Sequence, residues 1–215
     1  MKRYCLEVWG DYACFTRPEM KVERVSYDVI TPSAARAIFE AILWKPAMRW
    51  HVRRIEVLRP IRWMTIKRNE VASIATDPAS GNGPRGLFIE DVHVQRSALL
   101  LRDVAYRLHA DLEFLAERDP GANPAKYRQM FERRADKGQC VNQPYLGCRE
   151  FPAYFQRLPD GAADSAPIAD SSDLGFMLFD MDFSDRADPK PMFFRAALRK
   201  GAVEVPAHDS PEVRR

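Results

Sequence analysis

The sequence predicts an α+β protein built on a ferredoxin-like β-α-β-β-α-β domain, with an extended β insert and a small C-terminal β-sheet appendage. Two segments have the apolar spacing and the caps of helices, and most other apolar segments alternate as strands do. The chain of 215 residues, 46% of them hydrophobic, is long enough for one large domain with an appendage. We predict the domain at residues 1–158, a linker at 159–172, the appendage at 173–206 and a tail at 207–215.

Local signals place the first strand and the first helix. Residues 4–9 alternate and include aromatic residues, which is typical of a strand. Thr31 is a good helix N-cap, and Pro32 suits the first helical position because an N–H would stay unpaired there anyway. Apolar residues at helical spacing continue from 34 to 43, and Pro46 predicts that the helix has ended.

The middle of the chain is predicted to hold two strands and the insert. Residues 48–58 and 61–71 alternate and contain Val, Ile and Trp, so we predict two neighbouring antiparallel strands. Residues 75–90 contain Asp-Pro and Gly-Asn-Gly-Pro, which indicate a loop. Residues 97–115 are apolar and alternating, and they predict an extended insert that bends near residues 102–103.

The second helix is predicted over residues 123–137. Asn123 can cap it, Pro124 fits its first position and Gly138 fits its end. Further strands are predicted at residues 149–158, 174–183 and 192–205. Without the insert, the order up to residue 158 is that of RNA-recognition modules. Right-handed crossovers would place both helices on one face of the sheet and leave the other face for the insert or for nucleic acid.

Composition narrows the class of protein only modestly. Lys and Arg total 33 against 30 Asp and Glu, a net charge of +3, which permits a nucleic-acid partner without requiring one. No signal-peptide or membrane-spanning pattern occurs, so we predict a cytoplasmic protein with reduced thiols. The four cysteines form no C-x-x-C pair, and no phosphate-binding glycine motif occurs, so no metal or cofactor is predicted.

The second helix carries one candidate group for phosphate contact. Helical spacing places Lys126, Arg133 and Lys137 near one side, where cations could follow an RNA backbone. The alternative is a solvated helix whose cations pair with Glu132 and Asp136, and the sequence alone favours it because mixed charges on exposed helices are common.

A second candidate group lies early in the chain, at Arg17, Lys21 and Arg24. Phe15 and Tyr27 stand nearby, and aromatic rings among cations suit unpaired bases and their phosphates. The alternative is an ordinary loop with half-buried aromatic residues, and the sequence does not separate the two. A weaker third group lies on the paired strands and consists of Arg59, Arg62, Lys67 and Arg68, which alternation prevents from sharing one face.

Histidines and carboxylates give no firm metal or nucleophile pattern. His51 and His109 fall in predicted strands, where a structural role is more common than catalysis, and no two of the histidines have the spacing of a helical metal pair. Asp180 and Asp182 alternate on one strand, with Asp185 and Asp188 beyond them. Clustered carboxylates can hold a divalent ion, which leaves open a metal-dependent nuclease, although a polar turn is the more common meaning.

Several longer stretches together resemble one known family. They are residues 8–27, 31–36, 44–46 (Trp-Lys-Pro), 68–70, 101–104, 133–140 and 144–152 (Pro-Tyr-Leu-Gly-Cys-Arg-Glu-Phe-Pro). These stretches are similar to the CRISPR-associated family five proteins of the type I-C (Dvulg) systems. Because they are spread over most of the chain, the resemblance is more specific than any single motif.

The resemblance implies a function and a set of partners. It implies a protein that binds CRISPR repeat RNA and cleaves pre-crRNA 3′ of the repeat hairpin by metal-independent attack of the 2′-hydroxyl. The protein would stay on the 5′ handle, in a Cascade complex with family seven and family eight subunits, and would meet target DNA through that complex. The alternative is a non-catalytic scaffold that binds the 5′ handle.

The resemblance also implies site residues, and this chain departs from the family at two of them. The family's Lys-His pair corresponds to Lys126-Tyr127, so we expect Lys126 to stabilise phosphate charge and Tyr127 to act as an acid or a stacking surface. A Tyr or His before the Trp-Lys-Pro motif is replaced by Leu43, which has no proton to transfer. Either another residue serves as base (Tyr127, Tyr27 or His51), or the protein cuts slowly, or it only binds. The residues expected to bind RNA are Arg17, Lys21, Arg24, Tyr27, Arg68, Arg133, Arg134 and Lys137.

Overall fold

A computed structural model describes residues 1–20, 22–73, 89–159, 165–185 and 187–215. Within these ranges, no helix has the length and apolar character that would carry it across a membrane. The elements are β1 (Lys2–Ala13), α1 (Pro32–Ile42), β2 (Met48–Val57), β3 (Trp63–Val71), α2 (Ile89–Val92), β4 (His93–Phe114), α3 (Pro124–Asp136), β5 (Tyr154–Leu158), β6 (Ser172–Asp182), β7 (Lys190–Leu198) and β8 (Ala202–Glu204).

The main sheet has the ferredoxin-like order and confirms the predicted fold class. Its strands follow the order β5-β1-β4-β2-β8, and every neighbouring pair is antiparallel. α1 and α3 lie on one face, where Phe39 and Phe131 pack against Trp50 with ring centroids 4.8 and 4.6 Å away. Tyr4 closes this aromatic cluster at 5.8 Å from Trp50.

The predicted pairing of the middle strands is wrong. β3 pairs with residues 93–101 of β4, and the rest of β4 pairs with β1 and β2. The inserted hairpin is therefore β3 with the first half of β4, and the second half is the central core strand. Both parts of β4 alternate in sequence, so local pattern does not reveal the partner. Asp103, with φ of 54°, marks the bend that the sequence placed at residues 102–103.

Both long helices begin as the sequence predicts. Thr31 Oγ1 accepts a hydrogen bond from Ala34 N at 3.3 Å, and Asn123 Oδ1 accepts one from Ala125 N at 2.9 Å. Each helix then continues from a proline in its first turn. Gly138 has φ of 63°, the left-handed conformation that favours glycine just after a helix.

The C-terminal segment is fastened to the main sheet. β6 and β7 form a separate two-stranded sheet, whereas β8 pairs with β2 over Arg54–Glu56. In the tail, Arg214 N donates to the carbonyl of Phe193 at 2.8 Å, so the tail lies against β7. The division into a domain, a linker, an appendage and a tail stays a prediction.

Candidate functional site

The exposed face of α3 carries cations that are not neutralised by the helix's own acids. Glu132 instead accepts hydrogen bonds from Lys2 at 2.5 Å and from Tyr4 at 2.9 Å. Asp136 is bound by Arg157 at 2.5 Å. The acids that would neutralise the helix surface are therefore used by β1 and β5. In the described ranges no ion pair involves the three exposed cations of this face: Lys126, Arg133 and Lys137.

Arg134, a fourth cation of α3, holds the fold together. Its Nη1 donates to the carbonyl of Ile42 at 3.1 Å, which satisfies a free carbonyl at the end of α1. An arginine engaged by the backbone in this way has less freedom to contact RNA. The expected role of Arg134 in RNA binding stays a prediction. In the structure this residue joins α3 to the end of α1.

Tyr127 lies in the first turn of α3, and its hydroxyl forms a hydrogen bond with a carboxylate. The residue is 7% exposed, its ring packs 5.4 Å from that of Phe114, and its hydroxyl donates to Asp119 Oδ2. The hydrogen bond to this carboxylate raises the pKa of Tyr127. A role as general base or as a stacking surface does not fit this environment, because the proton is held more tightly and the ring is covered. Lys126, the residue before it, extends into solvent.

Tyr27 is in the core, which corrects the expectation that it stacks on RNA bases. It is 1% exposed, and its hydroxyl accepts a hydrogen bond from Leu178 N at 3.3 Å, so it joins the early loop to β6. The guanidinium of Arg17 covers its ring at 4.5 Å and also bonds Asp28 at 3.1 Å. Lys21, the third cation of this group, lies outside the described residues.

Arg24 and Arg68 meet in one charged cluster, although they are 44 residues apart in the sequence. Arg68 bonds Glu150 at 2.8 Å, and Arg24 approaches Glu150 at 3.8 Å. Both also approach Glu70 at 3.6 Å, and Arg96 reaches the same carboxylate at 3.1 Å. The cluster thus carries three guanidinium groups on two carboxylates, and the net positive charge left over can attract phosphate.

The Cys148 thiol lies beside this cluster. A hydrogen bond from Cys14, with a contribution from the nearby Arg24 guanidinium, lowers the pKa of the Cys148 thiol to about 6. Arg24 Nη1 lies 3.7 Å from Cys148 Sγ. The same contact with Cys148, together with burial, raises the pKa of Cys14. Cys148 is half-buried, so a small reagent can reach it.

Cys148 is expected to be alkylated by iodoacetamide with a midpoint near pH 6, because the thiolate is the reacting form. Peptide mass spectrometry across a pH series would measure this. Cys14→Ala should move the midpoint upward by removing the hydrogen bond, and Arg24→Ala should do so to a smaller extent. The control, Cys140→Ser, should leave the Cys148 midpoint unchanged. A wild-type midpoint of about 8.5, typical of an unperturbed thiol, would contradict the assignment.

The sheet face opposite the helices is largely covered at its centre. Arg107 is 3% exposed, bonds Glu56 at 2.8 Å and donates to the carbonyl of Ser165 at 2.9 Å. Burial opposes the charge on Glu56, but hydrogen bonds from Arg107 and Arg54 outweigh it and lower its pKa. Residues of the predicted linker therefore cover part of the sheet face that the sequence predicts to be free for an insert or for nucleic acid.

One end of the β2 edge remains open and forms a cleft of about 630 Å³. Its floor is residues 48–53 of β2, one wall is α1 with Trp44, and the other wall is residues 179–183 and 205–209. Trp44 is 52% exposed, whereas its neighbour Leu43 is fully buried. The backbone carbonyl of Leu43 accepts a hydrogen bond from Trp50 Nε1 at 3.3 Å. The Leu43 side chain thus cannot take part in proton transfer, and the aromatic surface at this point belongs to Trp44.

His51 is one of the two histidines that line this cleft, with His208. Its Nε2 lies 2.7 Å from Glu113 Oε2, and Arg49 reaches the same carboxylate at 3.7 Å. Arg118 also lines the cleft, and it has no ion pair with a described residue. The sequence marked His51 as one possible base, but nothing in it indicated that Glu113, 62 residues later, is its partner.

The carboxylates of β6 do not assemble into a metal site. Arg36 binds both oxygens of Asp180, at 2.8 and 2.9 Å. Asp182 accepts a hydrogen bond from the hydroxyl of Ser184 at 2.7 Å. Among the residues that the structure describes, no three His, Cys, Asp or Glu side chains are grouped to hold a metal ion. The spacing that suggested a metal-dependent nuclease therefore reflects an ion pair and a turn.

The fold and these surfaces define a ferredoxin-like protein with arginine-rich patches and a histidine-containing cleft, a class suited to contact with nucleic acid. A sequence model of the family described as CRISPR-associated protein (Cas_Cas5), type Cas5d, matches residues 4–206. The chain therefore belongs to the Cas5 family of CRISPR-associated proteins, in its Cas5d (type I-C) branch, which confirms the predicted resemblance.

Two curated relatives match nearly the entire chain. A protein of Mannheimia succiniciproducens named CRISPR pre-crRNA endoribonuclease Cas5d is 48% identical over 226 residues, covering 99% of both chains. A protein of Thermus thermophilus with the same name is 45% identical over 233 residues, covering 100% of this chain and 96% of the relative.

Solved structures agree on the fold. One reported as a CRISPR-associated protein superposes with a TM-score of 0.73 at 20% identity, covering 100% of this chain and 97% of the other. A chain of a CRISPR RNA-guided surveillance complex superposes with a TM-score of 0.55 at 15% identity, covering 96% and 92%. At these identities the likeness concerns the ferredoxin-like architecture.

Proposed function

We propose that this protein is an endoribonuclease of CRISPR defence that binds repeat RNA and cleaves pre-crRNA 3′ of the repeat hairpin. The observation that carries the proposal is the 48% and 45% identity, over nearly the whole chain, to two proteins named pre-crRNA endoribonuclease. The arginine cluster and the exposed cations of α3 supply the positive surface that an RNA backbone needs.

The proposed chemistry is transesterification without a metal. The ribose 2′-hydroxyl attacks the adjacent phosphorus and releases the 5′-oxygen, which leaves a cyclic phosphate. This reaction needs a base, an acid and a cation that stabilises the phosphate charge. Lys126 is suited to the last role because its ammonium is exposed and has no ion pair with a described residue. Tyr127 is not expected to serve as the base, because its hydroxyl donates to Asp119 and this hydrogen bond raises its pKa.

The RNA surface is proposed to combine two regions. Arg24 and Arg68 contribute from the charged cluster, and Arg133 and Lys137 contribute from α3. Arg17 is engaged by Asp28 and Tyr27, so its contribution would require a rearrangement of that loop. After cleavage the protein would stay on the 5′ handle, in the cytoplasm, beside family seven and family eight subunits of a Cascade complex, and would meet target DNA through that complex.

A second candidate function is a non-catalytic scaffold that caps the 5′ handle. The observation in its favour is the fully buried Leu43 at a position where the resemblance implies a proton-transferring side chain. Such a scaffold would bind repeat RNA tightly and in a salt-dependent way, but it would give no product over a long incubation.

The purified protein is expected to cut its own repeat RNA once, below the hairpin, in the presence of EDTA. The 5′ fragment should end in a cyclic phosphate, because the attacking group is the neighbouring 2′-hydroxyl. Denaturing gels and mass spectrometry of the fragments would measure this. An RNA with a single 2′-deoxy substitution at the cut is the matched control and should stay intact. Binding without any cut would favour the scaffold, and a cut that requires added Mg²⁺ would contradict the proposed chemistry.

A further inference from the structure

The cleft at the β2 edge has the features of a reaction site rather than of a packing defect. It holds about 630 Å³ and contains an imidazole hydrogen-bonded to a carboxylate, while Trp44 and Phe183 expose aromatic surface along its walls. A cleft of this size can accept a nucleotide. Exposed rings beside cations are the combination by which proteins hold unpaired bases and their phosphates.

We propose that this cleft holds the nucleotide at the cleavage point and that His51 removes the proton from its 2′-hydroxyl. The inference rests on the proposed endoribonuclease function and adds to it the identity of the base. It also accounts for catalysis in a chain whose Leu43 is buried and whose Tyr127 hydroxyl is engaged by Asp119.

Glu113 prepares His51 for this role. The 2.7 Å contact joins Glu113 Oε2 to Nε2, so Nε2–H donates to the carboxylate and Nδ1 keeps its lone pair for an incoming proton. The carboxylate also stabilises the imidazolium that forms, as in other His–carboxylate pairs. Arg49 Nη1 approaches the same oxygen, Glu113 Oε2, at 3.7 Å.

One cation that lines the cleft, unpaired within the described ranges, can stabilise the phosphate, and a second, Lys126, lies further along the chain. Arg118 lines the cleft, is exposed, and has no ion pair among the described residues, so its guanidinium is available. The next residue in the chain is Asp119, which accepts the Tyr127 hydroxyl. Arg118 is therefore joined through Asp119 and its contact with Tyr127 to the start of α3, where Lys126 lies outside the cleft lining. Arg36, another cation of the cleft wall, is paired with Asp180 at 2.8 Å.

The proposed step balances without a metal or a further reactant. The proton of the 2′-hydroxyl passes to Nδ1 of His51 as the bond from O2′ to phosphorus forms. The bond from phosphorus to O5′ then breaks, and O5′ takes a proton from water. The products are a 2′,3′-cyclic phosphate and a 5′-hydroxyl, and the imidazolium returns its proton to solvent.

Single-turnover cleavage of repeat RNA in EDTA by His51→Ala and His51→Gln tests this inference. Both variants should cut about 10²–10⁴-fold more slowly, the usual contribution of a general base. Their affinity for an uncleavable 2′-deoxy repeat should stay within about threefold of wild type, because the cations of the RNA surface are unchanged. Added imidazole should partly restore cleavage by His51→Ala, since the open cleft admits it, and should not accelerate wild type or Lys126→Ala.

His93→Ala is the matched control, because His93 is an exposed histidine at the start of β4, in the inserted hairpin, and should cut at the wild-type rate. If wild type and His51→Ala both cleave, and at the same rate, the inference about His51 is wrong while the proposed function stands. Slow cleavage without imidazole rescue, or with lost RNA affinity, would also overturn it by assigning His51 a positioning or structural role. If the wild-type chain binds repeat RNA and never cuts it, both the inference and the proposed function are wrong.

Discussion

Lys126→Ala is expected to lower the single-turnover rate of repeat-RNA cleavage about 10²–10³-fold, the usual effect of removing one group that stabilises transition-state charge. The ammonium lies on the exposed face of α3 and has no ion pair within the described ranges, so it is free to meet a phosphate. RNA affinity should change little, because several other cations contribute to binding. Gel assays of cleavage in EDTA and mobility-shift titrations would measure the two quantities.

The control for this experiment is Lys190→Ala, which removes an exposed lysine at the start of β7. It should cut at the wild-type rate, and both variants should unfold at the wild-type temperature because neither side chain is packed. Equal cleavage by Lys126→Ala and wild type would remove Lys126 from the active site and leave the cleft around His51 as the catalytic region.

Trp50→Ala is expected to lower the free energy of unfolding by about 3–5 kcal/mol, the usual cost of truncating a large buried aromatic residue. Trp50 is 2% exposed and its ring contacts those of Phe39 and Phe131, so it joins β2 to α1 and α3. Its loss therefore leaves a cavity between these three elements. It also removes the hydrogen bond from Nε1 to the carbonyl of Leu43. Urea unfolding followed by circular dichroism would measure the change.

Trp63→Ala provides the comparison for Trp50→Ala. Trp63 is 38% exposed at the start of β3, on the inserted hairpin, so its truncation should cost roughly 0.5 kcal/mol or less. Similar losses in the two variants would mean that the aromatic cluster does not hold the domain together. Both variants are read out against the same wild-type unfolding curve.

Local features of this protein follow from the sequence, whereas long-range ones do not. Thr31 and Asn123 cap their helices as predicted, because a cap depends on residues two or three positions away. The bend at Asp103 was also visible locally. The pairing of β3 was not, since β2, β3 and β4 all alternate and any two of them could pair. Only the burial of the second half of β4 on both faces marks it as the central strand.

The same distinction between local and long-range features applies to the candidate site. The exposed cations of α3 follow from helical spacing, yet the sequence could not show that Glu132 and Asp136 are bound by Lys2 and Arg157 instead. Tyr27 looked like a base-stacking residue because it stands among cations, but the approach of β6 buries it. The contact between Arg68 and Glu150 had no sequence signal either, because the two residues are far apart in the chain.

By itself the sequence determined the fold class, the two capped helices and the membership of the Cas5 family. Each of these can be recognised from short local stretches of sequence, without knowing which distant residues meet. Only the tertiary structure decided which strand is central, that Leu43 and Tyr27 are buried, and that His51 meets Glu113 in an open cleft. These features require residues far apart in the chain to come together, and the position of one strand against another is fixed by the burial of the whole sheet and not by local preference.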